Sequence, residues 1–168
     1  GFHLHHPGRE RVFPTASGRA QFHVHPLEDA IAAPEAPFQL MSVRSHDQYN
    51  TTIYGMNDRY RGVFGERRVL FIHRDDIAAL GMSAGDWVDL ESLCDDGVER
   101  VAKRFLLVDY NIPRGCLAAY YPETNALVPL SSFADEARTP TSKSIPVVVH
   151  PHVPQAAQSL QAAKDIGL

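Results

Sequence analysis

The sequence predicts a mainly β domain, closed or nearly closed into a barrel. Three observations lead there. Six or seven short runs have strand character, helices are confined to one or two brief stretches, and long polar loops separate the runs. A chain of 168 residues, 44% hydrophobic and 21% charged, can bury one ordinary globular core.

Residues 1–37 form a leading segment and linker. They contain Pro7, Pro14, Pro26, Pro34 and Pro37, with one short extended piece, Ala20–Val24, entered by a turn at Gly18. Ala30–Pro37 reads as the linker itself, since proline blocks both helix and central strand. The segment is expected to wrap the domain or to join it to a preceding one. Gly1 in place of an initiator Met suggests a piece of something larger, and GFHLHHPGRE lacks the pattern of a signal peptide.

The barrel proper is predicted over 38–150. Phe38–Val43 is a mostly apolar strand, and Arg68–Ile72 a compact apolar one. Arg74–Gly81 is a short helix with acids in its first turn, Ile77 and Leu80 on its inner face and Gly81 as its stop. Trp87–Ser92 is a half-buried strand with Val88 and Leu90 inward and Asp89 and Glu91 outward, and Trp87 is expected in core or barrel-end packing. The Asp95-Asp96-Gly97 turn returns the chain through Glu99–Val108, making a hairpin. Cys116–Tyr121 and Ser144–His150 complete the strands, with Pro122–Pro129 as a polar loop leading into a turn or short helix. Pro151 and Pro154 end the last strand, and 151–168 is a tail whose Ala/Gln-rich part, 155–168, reads as frayed helix or disorder.

A net charge of −4 and a pI near 6.1 exclude a broad basic surface for nucleic acid or anionic membrane. No apolar run approaches the roughly 20 residues needed to span a bilayer. Cys94 and Cys116 are too far apart for a CxxC motif and read as reduced thiols, in keeping with a cytoplasmic protein. Seven of the nine histidines cluster at 3, 5 and 6, at 23 and 25, and at 150 and 152, but a metal site needs three or four convergent ligands, and none is assigned.

The chemistry is expected in Met41–Gly62, where the first strand runs out into Arg44, Ser45, His46, Asp47, Gln48, Tyr49, Asn50, Thr51 and Thr52, with Arg59 and Arg61 close behind. Such a density of donors suits an anion or nucleotide cradle. A solvated loop is the alternative, and Arg59 and Arg61 could equally pair with Asp58 or Glu66.

Several stretches, in this order, resemble the C-terminal molybdopterin-guanine-dinucleotide-binding domain of the prokaryotic molybdopterin oxidoreductases, in their formate-dehydrogenase-alpha-like branch. They are Phe13–Phe22, Val43–Thr51, His73–Ser92, Tyr121–Val128 (YPETNALV) and Arg138–Lys143 (RTPTSK). The resemblance covers roughly residues 10–150 and implies a six-stranded double-psi β-barrel of the aspartate-decarboxylase-like kind. It also implies contacts to the cofactor from Arg44, Ser45, His46, Gln48, Tyr49, Asn50, Thr51, Asn125 and Lys143, to which Arg59 and Arg61 are added as candidate phosphate partners. His46 is expected to hydrogen-bond the cofactor and to pass a proton near the metal.

In that family the molybdenum ligand and any iron–sulfur cysteines lie upstream. The resemblance therefore implies a domain that caps a bis-dinucleotide molybdenum cofactor held with upstream domains of the same polypeptide. The isolated chain is then expected to be inactive and without cofactor; the substrate and redox partner stay open. A non-catalytic double-psi module for partner or substrate binding is the rival. Convergence of the 44–51 cluster with Asn125 and Lys143 on one concave face favours the first reading, and their dispersal favours the second. A pyruvoyl decarboxylase on the same barrel would need a Gly-Ser step, which is absent.

Overall fold

The computed structural model describes residues 1–24, 36–49 and 55–154. Asn50, Thr51, His25, most of the predicted 30–37 linker and the predicted helix or disorder over 155–168 lie outside them. The chain divides into two compact units, Gly1–Ala32 and Ala33–Leu168.

In the first unit a one-turn helix, α1 (Pro7–Glu10), forms where no helix is predicted. The His6 ring accepts the Arg9 amide at 3.1 Å as an N-cap, and Pro7 supplies a preset φ at the first helical position. The predicted strand Ala20–Val24 is absent. Phe22 and Val24 are 98% and 93% exposed, so the extended pattern has no neighbour to pair with.

The second unit holds β1 (Phe38–Val43), β2 (Val69–Ile72), α2 (Arg74–Ala79), β3 (Trp87–Ser92), β4 (Val101–Asp109), β5 (Cys116–Tyr120) and β6 (Ile145–Pro151), with a 3-10 turn at Asn125–Leu127. The six strands close in the order β1-β5-β2-β4-β3-β6. β1 runs parallel to β5 and β2 parallel to β4, while the other pairings are antiparallel. The predicted mainly β, closed barrel with short helices is therefore found, and its interleaved parallel pairs agree with the double-psi type.

Side chains alternate across the wall. Leu40, Leu70, Ile72, Val88, Leu90, Phe105, Leu107, Leu117, Ala119, Ile145, Val147 and Val149 pack into one core, joined by Ile77 of α2 and by Leu127. The opposite faces of β2 and β5 are buried too: Val69, Phe71, Ala118 and Tyr120 form a second cluster with Val63. That two-sided burial explains why RVLFI reads as a continuous apolar run. α2 starts at His73, whose ring accepts the Asp75 amide at 3.1 Å, and Gly81 takes φ 69° just beyond its end.

The β3–β4 hairpin forms as predicted, with one correction. Asp89, expected outward and wet, is buried. A bulge places Arg104 at φ 63°, and the Arg104 N–H donates to Asp89 Oδ1 at 2.8 Å while His152 sits 2.7 Å from the same oxygen. The Arg104 guanidinium lies 4.1 Å from the half-buried Trp87 ring. His150 in turn pairs with Glu91 at 2.9 Å. Cys94 and Cys116 are both free thiols.

The alternation on β1 makes a direct prediction. Leu40 is fully buried and Met41 beside it is 40% exposed. Leu40→Ala should cost about 3 kcal/mol of unfolding free energy and Met41→Ala about 0.5 kcal/mol or less, measured by urea denaturation.

Candidate functional site

The register sets where the predicted segments meet. Val43 of β1 pairs with Tyr120 of β5 in parallel, so both strands end at the same rim of the barrel. β2 runs antiparallel to β5 and begins at that rim. The loop after β1, the loop after β5 and the residues before β2 are therefore neighbours. The Tyr121 amide donates to the Val43 carbonyl at 2.8 Å, and the Ser42 amide donates to the Ser142 carbonyl at 2.8 Å, which brings the 138–143 segment alongside.

At the centre of the rim lies a buried guanidinium that the sequence reading passed over. Arg67 is 5% exposed. Its Nε and Nη2 donate to Glu123 at 2.6 and 3.2 Å, Nη1 to Ser45 Oγ at 2.9 Å and to the Gly55 carbonyl at 3.2 Å, and Nη2 to Gln48 Oε1 at 3.2 Å and to the Tyr121 carbonyl at 3.0 Å. It also stands 5.1 Å from the centroid of the Tyr120 ring. A planar fork with five donors is the one side chain that can satisfy so many acceptors at once.

A second buried hub is Asp58, 1% exposed, in a tight turn closed by the Asp58–Val63 bridge. Its carboxylate accepts from the His46 N–H at 3.1 Å, the Tyr120 hydroxyl at 2.9 Å, the Arg61 N–H at 3.3 Å and Arg61 Nη1 at 2.5 Å. Burial by itself would raise the Asp58 pKa, but the bonds from Arg61, Tyr120 and His46 outweigh it and hold the carboxyl below its ordinary value. Burial, reinforced by the Asp58 carboxylate, pushes the Tyr120 phenol well above its ordinary value, so it remains a donor.

The predicted residues thus separate into two sets. Ser45 and Gln48 are buried and face Arg67. Arg61 spends its guanidinium on Asp58 and on the Arg44 carbonyl at 3.1 Å, the pairing the surface alternative allowed for. Lys143 donates from Nζ to the Ser42 carbonyl. Arg44, His46, Tyr49, Arg59 and Asn125 are exposed at this rim. The His46 and Tyr60 rings lie 3.7 Å apart between centroids, and the Arg59 guanidinium stands 5.0 Å from the Tyr60 ring centroid, making a cationic and aromatic shelf.

Beside the rim is a groove of about 440 Å3, formed where the two late loops face each other. Tyr121, Asn125, Val128, Pro129 and Leu130 line it from the loop after β5, and Ser132, Phe133, Arg138, Thr139, Pro140 and Ser142 from the segment before β6. Arg138, at φ 53°, lays its guanidinium 4.6 Å from the Phe133 ring centroid. Hydroxyls, a carboxamide, a guanidinium and aromatic faces in a volume of this size suit a flat heterocycle with an anionic extension. Among the described residues no group of three His, Cys, Asp or Glu is placed to hold a metal ion. No helix among them is long and apolar enough to cross a membrane.

Residues 38–146 match the family described as the molydopterin dinucleotide binding domain. The chain is 53% identical over 156 residues to the uncharacterized oxidoreductase Rv2900c of Mycobacterium tuberculosis. It is 41% identical over 155 residues to the protein YdeP of Escherichia coli. Each alignment covers 90% of this chain and 20% of the relative, so the chain spans about a fifth of the length of these curated relatives. Among solved structures, acetylene hydratase from Pelobacter acetylenicus superposes with a TM-score of 0.53 at 16% identity, covering 77% of this chain and 21% of that one, a likeness of fold.

Because the Asp58 pKa is lowered on folding, its stabilisation is present above the unfolded value of about 3.9 and is lost as pH falls through the folded value. Asp58→Asn should cost about 2 kcal/mol at pH 7, and the gap to the unmodified protein should narrow below about pH 4, as read by denaturation midpoints across pH.

Proposed function

The chain belongs to the molydopterin dinucleotide binding domain family, and from that membership we propose that it holds a molybdopterin guanine dinucleotide as the capping domain of a formate-dehydrogenase-like oxidoreductase. The cofactor is proposed to be the bis-dinucleotide form carrying molybdenum, and the domain to be non-catalytic by itself. The enzyme is proposed to be cytoplasmic, with the remaining cofactor contacts and the metal ligand on upstream domains of the same polypeptide.

One observation supports this reading above the rest. The three segments singled out from the sequence, after β1, after β5 and before β6, gather at a single rim beside a groove of mixed apolar, aromatic and polar lining. The gathering of these segments at one rim supports the cofactor reading over the interaction-module alternative.

The groups at the rim suit the proposed ligand. Arg138 and Asn125 supply donors for phosphate or for a heterocycle edge, Ser132, Thr139 and Ser142 supply hydroxyls, and Phe133 and Tyr121 offer ring faces. Arg44, His46, Tyr49 and Arg59 are the exposed polar groups there, and Asn50 and Thr51 are the next two residues of the sequence proposed to contribute. Ser45, Gln48, Arg61 and Lys143 contribute by holding the walls. The bound group supplies the electron chemistry; this chain binds, orients and excludes water.

The test is cofactor content. In the full-length protein, Asn125→Ala combined with Arg138→Ala should lower releasable pterin per folded protein at least fivefold with little change in melting temperature. Undiminished pterin in that double variant would contradict the assignment of the groove.

A further inference from the structure

Arg67 does not itself line the groove, yet it bonds the loop after β5 that does and the loop after β1 beside it. We infer that the Arg67–Glu123 pair is a positioning pair for the groove, one planar cation fixing the loop after β5 against the loop after β1. This rests on the binding reading above.

The connection is short. Arg67 Nη2 holds the carbonyl of Tyr121, and Nε and Nη2 hold the carboxylate of Glu123. Tyr121 and Asn125, on either side of Glu123, line the groove together with Val128, Pro129 and Leu130 further along that loop. The other end of the same guanidinium holds Ser45 Oγ, Gln48 Oε1 and the Gly55 carbonyl. Gln48 Oε1 also accepts the Ser45 amide at 3.3 Å, so the first loop is folded around the acceptor it presents to Arg67. Displacing the cation frees both loops together, and the Tyr121–Asn125 part of the groove loses the support that fixes it.

A buried ion pair is weak evidence for stability in itself, because desolvation offsets much of its attraction. Its worth here is geometric. A lysine at 67 would keep the charge and one bond to Glu123, but a point charge cannot span acceptors on two loops. A role limited to charge balance is rescued by lysine; a positioning role is not.

Arg67→Lys is compared with the unmodified full-length protein and with Leu40→Ala, a core variant that loosens the barrel without touching the rim. Two quantities are read: backbone hydrogen exchange in protein made by a host unable to synthesise molybdopterin, and releasable pterin per folded protein from a competent host. The amides of Ser45, His46, Gln48, Tyr121, Thr124 and Asn125 are all hydrogen-bonded donors and report the two loops. In Arg67→Lys they should exchange at least tenfold faster as a group, with the β3–β6 ladder unchanged, and pterin should fall at least fivefold. Leu40→Ala should speed exchange around the whole barrel and keep pterin in proportion to its folded fraction. Retained protection in both loops, loosening of one loop alone, or full pterin in Arg67→Lys would overturn the positioning role. A native protein with no releasable pterin would overturn the binding reading beneath it, and the exchange result, taken without ligand, keeps the two failures distinct.

Discussion

A guanidinium leaves water only where its five N–H donors find acceptors, since an unmet donor in the interior costs about 1–3 kcal/mol and an unpaired charge more. Arg67 meets that demand with a carboxylate, a hydroxyl, a side-chain amide and two backbone carbonyls. The acceptors come from before β2, after β1 and after β5. Burying this one cation therefore requires the loops to be in fixed places. Asp58 imposes the complementary demand, since its carboxylate needs donors and draws them from His46, Arg61 and Tyr120. Tyr120 links the two hubs, its ring near Arg67 and its hydroxyl on Asp58.

The barrel makes those demands satisfiable. Parallel pairing of β1 with β5 sends two chain-distant loops out of the same rim, and the antiparallel run of β2 starts there. An antiparallel meander would have put the successive loops at alternate ends. The rim is polar inside and polar outside, with the inner groups spent on structure and the outer ones, together with the groove, left facing outward. This division of labour is why a polar cluster in the sequence cannot be read as a contact list, residue for residue.

Local pattern carried most of the fold. The alternation of Val88 and Leu90, the Asp-Gly turn and the returning run specified a hairpin, and the apolar stretch ending at Ile72 specified a compact strand, which the fold buries on both faces. What escaped depended on distant partners. Asp89 is buried because His152 and the left-handed Arg104 reach it, neither of which its own neighbours announce. Ala20–Val24 has the local look of a strand and no neighbour, so it does not form one. Arg67, in a Glu-Arg-Arg run, looks like surface; its partners lie 12 to 56 residues away in sequence. The only hint was a cation immediately before a fully apolar strand, with an acid inside the YPETN stretch that the family resemblance had already marked.

The central claim is that the rim after β1 and β5, with its adjoining groove, is where this domain meets its dinucleotide. Differential hydrogen exchange between cofactor-loaded and cofactor-free protein measures that directly. The account predicts added protection at residues 44–49, 121–128 and 132–142, with the β3–β4 turn around Asp96 unchanged. Protection confined to that turn, or spread evenly over the barrel, would contradict it.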